Sequence, residues 1–169
     1  LNKEGKEVQR LENNVWVKSR DFRDDWPTLL LNSHHDTVQP GDSWTRDPFK
    51  PDIEEVDGEK TLFGLGSNDA GGCLVALLQT FLHMDEVSDR GYNLIFAASA
   101  EEEISGENGI SVLLPELGRI DVGIVGEPTR MKMAIAEKGL LVLDCTATGI
   151  SGHAARHEGV NAIYEALQD

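Results

Sequence analysis

Apolar residues along this chain fall into short runs that alternate with segments of helical period. Val15-Trp16-Val17 is a short strand candidate. Thr28 to Ser33, which follows Pro27, reads as a buried central strand, Tyr92 to Ala98 as a second and Val122 to Val125 as a third. Gly71 to Met84 places Leu74, Leu77, Leu78, Phe81 and Leu82 at the i, i+3, i+4, i+7, i+8 spacing of an amphipathic helix. Gly109 to Leu117 predicts another helix, ended near Gly118, and Val160 to Leu167 the start of one more. From Met131 to Gly149 the alternation is looser: Val142, Asp144 and Thr146 oppose Leu141, Leu143 and Cys145, which predicts a sheet with one solvated face. The alternation of strand and helix predicts an α/β domain built on a central, mostly parallel sheet flanked by helices.

Two stretches break this rhythm. Gln39 to Asp69 is rich in Pro, Gly and Asp, and so long a connection is expected to be functional or to contain short hairpins. Near Glu137-Lys138-Gly139 the continuous apolar strands give way to the alternating pattern. A domain boundary is expected there, dividing the chain into 1–137 and 138–169.

Composition narrows the function. With 15 Lys and Arg against 30 Asp and Glu, the 169-residue chain carries a formal net charge of −15. That balance argues against nucleic acid as partner, since Lys and Arg dominate phosphate binding, and against an anionic membrane surface. No apolar run reaches the ~18 residues of a membrane span. The chain opens on a polar segment without a signal-peptide core, so a cytoplasmic location is expected. Cys73 and Cys145 lie far apart in apolar surroundings and read as buried free thiols.

The carboxylates gather at particular places. His34-His35-Asp36 follows the first buried strand, Asn68-Asp69 precedes the long helix, Glu101-Glu102-Glu103 follows the second strand and Glu127 the third. In an open α/β sheet the carboxyl ends of the strands line one crevice. Taken singly, each cluster has a bland reading: a structural His, a solvated Glu run, an Asp capping a helix. Together they would repel, by about 4 kcal/mol per carboxylate pair ~4 Å apart at an effective dielectric of 20. A divalent metal relieves this most simply, and imidazole with carboxylate oxygen suits zinc, with cobalt or manganese as alternatives. His83 reads as surface, and His35 points away from His34 if the strand continues. Gly64-Leu65-Gly66 fails the dinucleotide fingerprint, and no Walker A, HExxH or GxSxG sequence occurs.

In order and spacing, five motifs are similar to those of the co-catalytic di-zinc amidohydrolases and peptidases, the family of acetylornithine deacetylase, succinyl-diaminopimelate desuccinylase, aminoacylase and glutamate carboxypeptidase. They are Ser33-His34-His35-Asp36-Thr37-Val38; Trp44 to Phe49 continuing to Gly64-Leu65-Gly66-Ser67-Asn68-Asp69; Ser99-Ala100-Glu101-Glu102-Glu103 with Asn108-Gly109; Val125-Gly126-Glu127-Pro128-Thr129; and Gly149-Ile150-Ser151-Gly152-His153-Ala154. The resemblance implies a zinc-peptidase-like catalytic domain and the start of a smaller α+β dimerisation domain.

It also implies roles. His34, Asp69, Glu103 and Glu127 would be metal ligands, with Asp69 shared between two zinc ions and followed by a cis peptide. Asp36 would hold the other ring nitrogen of His34. Glu102 would be the general base, and His153, from a partner subunit, would steady the oxyanion. The register of the Glu run is ambiguous; its distance to Asn108-Gly109 selects Glu102 and Glu103 over Glu101 and Glu102. Leu65 and Gly71 replace residues many relatives carry as Arg and Lys, which bears on loop shape more than chemistry. The family's fifth ligand, a His, would lie beyond residue 169, since His157 follows the wrong motif, so the chain looks truncated.

The implied activity is hydrolysis of the amide of a small N-acyl amino acid, N-acetylornithine in arginine biosynthesis above others, by a homodimer. The alternatives are a dipeptidase, carboxypeptidase or desuccinylase of the same family, or an inactive fragment or binding module.

Overall fold

The computed structural model describes residues 1–136, 138–153, 155–156 and 158–167. The chain divides into two compact units, one from Leu1 to Lys132 and one from Met133 onward. Glu137 at the expected boundary, Ala154 and His157 lie outside the described residues.

The first unit is built on five strands: β1 (Gln9–Leu11), β2 (Asn14–Lys18), β3 (Thr28–His34), β6 (Asn93–Ser99) and β7 (Val122–Val125). Their order is β1-β2-β6-β3-β7. The pairings β3–β6 and β3–β7 are parallel, whereas β1–β2 and β2–β6 are antiparallel. The parallel portion is therefore the three strands that carry the acidic clusters, and a hairpin extends it on one side.

Side chains in β3 and β6 alternate between two cores, as a period of two requires. Leu30, Ile95 and Ala97 join Trp16 on one face beneath Leu113 and Leu117 of α2 (Ile110–Leu117). Leu31, Leu94 and Phe96 join Val17 on the other, packed by Leu74, Leu77, Leu78 and Phe81 of α1 (Cys73–Asp85). Phe81 is fully buried, its ring tilted against Phe96 with centroids 6.2 Å apart. The sheet thus lies between α1 and α2, and the apolar stripe read from the sequence is the face α1 buries.

Within the long segment after β3, β4 (Asp52–Val56) and β5 (Glu59–Phe63) form an exposed antiparallel hairpin. Its two-residue turn is Asp57-Gly58, both at positive φ (53° and 82°), the conformation that matches the twist of a tight hairpin. Arg46 binds both carboxylate oxygens of Glu54, at 3.1 and 3.3 Å, and stacks over Phe63.

Three expectations are corrected. β7 is an exposed strand, not a buried one: among the described residues it pairs with β3 alone, and every residue in it is exposed. Among the described residues of 131–149 there is no strand: a strand needs a partner for its backbone groups, and no described segment pairs with these residues. Among the described residues of the second unit only Ile150 and Val160 bridge, ahead of a short helix, α3 (Ala162–Ala166), capped by Asn161. Both cysteines are free, but Cys73 is half-buried and Cys145 exposed instead of both being buried.

Candidate metal centre

β3 ends at His34, β6 at Ser99 and β7 at Val125, side by side in the sheet, so the three segments that follow emerge together. Cross-strand bonds tie their ends. The Ser33 hydroxyl donates to Gly126 O (2.8 Å), Gly126 N–H to Asn32 O (2.8 Å) and His35 N–H to Ser99 O (2.9 Å). The parallel topology thereby brings His34, Asp36, Glu102, Glu103 and Glu127 together from distant positions. Asp69 joins them from the irregular turn Ser67–Gly72 that leads into α1. There Asp69 and Ala70 leave helical geometry, and the peptide between them is cis. Gly71 packs against Gly66, whose carbonyl oxygen would lie 2.4 Å from an added Cβ, so position 71 admits no side chain unless the turn moves.

His34 is the hub. Its side chain is 1% exposed, and its Nδ1 lies 3.0 Å from the backbone oxygen of Asp36 and 3.5 Å from that residue's Oδ1. A carbonyl only accepts, so Nδ1 carries the hydrogen. The Nε2 lone pair is then free to bind a cation, or, without one, to take a proton shared with a carboxylate. Nε2 lies 3.0 Å from Asp69 Oδ1 and 3.8 Å from both Glu102 Oε2 and Glu127 Oε1. Ligand atoms of His34, Asp69 and Glu103 all lie within 4.8 Å of one another. Donors ~2.1 Å from a tetrahedral ion sit about 3.4 Å apart, so this set fits a divalent metal with small adjustments of the exposed Asp69 and half-buried Glu103 carboxylates.

The electrostatics agree. Burial pushes the Glu127 carboxyl up, His34 opposes this, and Glu102, Asp69 and Glu103 add to it, leaving it raised. Burial would lower His34, but the Asp69 hydrogen bond, the charges of Glu127 and Glu102 and the Asp36 carbonyl outweigh it, and the imidazole is raised. Both shifts mean that the cluster favours added positive charge.

Asp36 does more than sequence reasoning anticipated. Its carboxylate accepts from the backbone N–H groups of Glu102 (3.3 Å) and Glu103 (3.2 Å), joining the loop after β3 to the loop after β6. The Glu run divides by geometry. Glu101 stands at φ 58°, and its carboxylate accepts from the N–H and Nδ2 of Asn108, at 3.0 and 3.3 Å. Glu101 thus closes its own loop, and Glu102 and Glu103 are the pair turned to His34 and Asp69. His35, set aside in the sequence, has Nε2 2.9 Å from Asn13 O. His153 belongs to the second unit, where its Nδ1 accepts from Ala155 N–H at 3.2 Å; the cluster itself is drawn wholly from the first. Sequence reasoning missed Asn14, since no local signal links it to a loop 86 residues on.

A sequence profile for Peptidase family M20/M25/M40 matches residues 30–167. Acetylornithine deacetylase of Shigella sonnei (strain Ss046) is 38% identical over 137 residues, 80% of this chain and 34% of that protein. Succinyl-diaminopimelate desuccinylase 2 of Ruegeria sp. (strain TM1040) is 29% identical over 187 residues, all of this chain and 45% of that protein. The chain therefore spans less than half the length of either relative. Two crystal structures share the fold. A tripeptidase from Staphylococcus aureus subsp. aureus mu50 has a TM-score of 0.58 at 20% identity, covering 99% of this chain and 46% of its own. Human carnosine dipeptidase 1 has a TM-score of 0.55 at 21% identity, covering 75% and 30%. No helix among the described residues is long and apolar enough to cross a membrane. Since the profile match takes in most of the chain, including every residue of the His34 cluster, the chain belongs to Peptidase family M20/M25/M40.

Proposed function

We propose that the protein carrying this chain is a metal-dependent amidohydrolase that cleaves a small N-acyl amino acid, N-acetylornithine in arginine biosynthesis, to acetate and ornithine. The observation that carries this reading is the gathering of His34, Asp69 and Glu103 within one ion's reach, with Glu102 and Glu127 beside them. Identity of 38% to two acetylornithine deacetylases supports the choice of substrate.

His34, Asp69, Glu103 and Glu127 would hold two zinc ions, cobalt or manganese being able to replace them. The chemistry such ions supply when bound is Lewis-acid activation of a water and of the scissile carbonyl. The chain's own residues do the rest. The Nδ1 hydrogen of His34, held on Asp36 O, keeps the ring in the ligating tautomer. Glu102, its side chain 53% exposed, has Oε2 free to take a proton from the attacking water and return it to the departing amine. Asp36 holds the backbone of Glu102 and Glu103, so base and ligand move as one unit. The reading extends to a cytoplasmic homodimer in which His153 of one protomer steadies the oxyanion in the other's site.

The test is hydrolysis by the zinc-loaded, full-length protein of N-acetylornithine, N-succinyl-diaminopimelate and dipeptides, followed by amine release. N-acetylornithine is expected to be the fastest substrate. Faster cleavage of a dipeptide or of the succinyl compound overturns the substrate, and no cleavage of any overturns the activity. Glu102→Ala should lower turnover by about 10²–10⁴-fold with zinc content unchanged; retained turnover refutes its role as base.

A further inference from the structure

The loop that carries Glu102 and Glu103 leaves β6 after Ser99 and re-enters regular structure at α2, after Gly109. One side chain holds both of its ends. Asn14, the first residue of β2, is 0% exposed. Its Oδ1 accepts from Ala100 N–H at 2.9 Å, and its Nδ2 donates to Asn108 O at 2.7 Å and to Leu11 O at 3.2 Å. In the β2–β6 pairing Val15 stands opposite Ala98, so the backbone register stops just short of the loop. The carboxamide of Asn14 takes over at the next inward donor.

Few side chains can do this. A carboxamide has an acceptor and two donors on one rigid plane, and here all three are used. The loop between these anchors is strained: Glu101 and Ser105, neither a glycine, stand at φ 58° and 49°. Such conformations persist only where the surroundings over-determine them. Inside the loop Glu101 O accepts from Gly106 N–H (2.9 Å) and Glu102 O from Ser105 N–H (2.9 Å). Those bonds shape the turn but do not attach it to the sheet; Asn14 does. At the foot of the loop, a Cβ at Gly109 would lie 2.5 Å from Ala100 O, so the two ends approach as closely as backbone allows.

We propose that Asn14 is a positioning residue for the reaction: by pinning Ala100 and Asn108 together it fixes where the backbone of Glu102 and Glu103 stands against Asp36 and the metal centre. The proposal rests on the reading of Glu102 as base and Glu103 as ligand. Asn14 touches neither carboxylate and acts through the loop alone. Its neighbour supports the adjacent loop, since Asn13 O receives His35 Nε2. The β1–β2 turn therefore braces both segments that meet at Asp36.

The test uses the full-length protein that carries this chain, stripped of metal, with Asn14→Ala, Asn14→Asp and, as a control away from the loop, Asp85→Asn. Zinc affinity is read by calorimetry, and amide exchange at Glu102 and Glu103 by NMR or mass spectrometry. Turnover is read on whichever amide the native protein hydrolyses. Asn14→Ala should weaken zinc binding by about 10–100-fold, the usual effect of losing support behind a ligand. It should also speed exchange at both amides and lower kcat by about 100-fold with KM little changed, because a displaced base slows chemistry more than binding.

Asn14→Asp keeps the acceptor for Ala100 and loses the donors to Asn108 and Leu11, so it should fall between native and Asn14→Ala. Asp85→Asn should keep native zinc affinity despite lower stability. Native zinc affinity and exchange in Asn14→Ala, or in Asn14→Asp should the alanine variant fail to fold, overturn the proposal. So does an equal loss of affinity in Asp85→Asn. Zinc binding and exchange need no substrate, so the test stands even if the native protein cleaves no amide.

Discussion

Asp85, the last residue of α1, is a buried carboxylate whose removal should be costly in a calculable way. Its side chain is 0% exposed and pairs with the Lys6 ammonium, itself 12% exposed. It also accepts from Arg20 N–H at 2.9 Å, while Arg20 Nε lies 3.7 Å from Oδ2 and donates to Asp85 O at 2.9 Å. The segment before β1 and the segment after β2 are therefore both fastened to the end of α1. Burial alone would push this carboxyl up. The Lys6 and Arg20 hydrogen bonds and both positive charges outweigh it and hold the group below its ordinary value. Asp85→Ala leaves a mostly buried ammonium with the exposed Glu86 carboxylate, 3.8 Å away, as its remaining counter-charge, and takes the acceptor from a backbone N–H. Breaking a buried pair from one side costs about 3–5 kcal/mol, a large share of the ~5–15 kcal/mol that holds a domain folded.

The pH dependence follows from the sign of the shift. A carboxyl depressed in the folded state contributes fully above its unfolded value of about 3.9 and loses that contribution as pH falls through its folded value. The gap between native and Asp85→Ala protein should thus be full at pH 7 and close in acid below about pH 4. Urea unfolding followed by tryptophan fluorescence, at pH 7 and in steps downward, measures it. A gap under ~1 kcal/mol at pH 7, the size of an exposed pair, or one that widens on acidification, refutes the reasoning.

The other predictions concern the site and the core. His34→Ala should abolish or strongly lower zinc occupancy, and an unchanged zinc stoichiometry by elemental analysis would show that the imidazole is not a ligand. Asp36→Asn removes the charge that receives Glu102 N–H and Glu103 N–H, and zinc affinity should fall by about 10–100-fold; calorimetry showing native affinity would contradict the bridging role. Phe81→Ala empties a fully buried site against Phe96 and should cost about 3–5 kcal/mol in chemical denaturation, with zinc affinity kept.

Much of this was legible in the chain because the signals are local and periodic. The apolar run from Thr28 to Ser33 and the Leu74-to-Leu82 stripe report faces that must leave water, and the structure buries those faces. The identity of His34, Asp69, Glu102, Glu103 and Glu127 as a group was legible because each follows a strand or precedes a helix. Other features were not. Val122 to Val125 has the composition of a buried strand, yet it is exposed, because burial depends on what covers a strand and not on its own residues. Residues 131–149 alternate as a strand would, but alternation supplies no partner for the backbone.

By itself, then, the sequence determined the two-sided sheet, the helix that covers one face and the residue types able to hold a metal, because propensity, period and donor chemistry are properties of short segments. The tertiary structure alone decided that Glu101 closes its own loop on Asn108, which oxygen of Asp36 receives His34, and that a buried Asn14 anchors a loop 86 residues away. Those outcomes depend on strand order β6-β3-β7 and on hydrogen bonds between segments far apart in the chain. Long-range pairing of polar groups is set by where the backbone runs, and no local pattern encodes it.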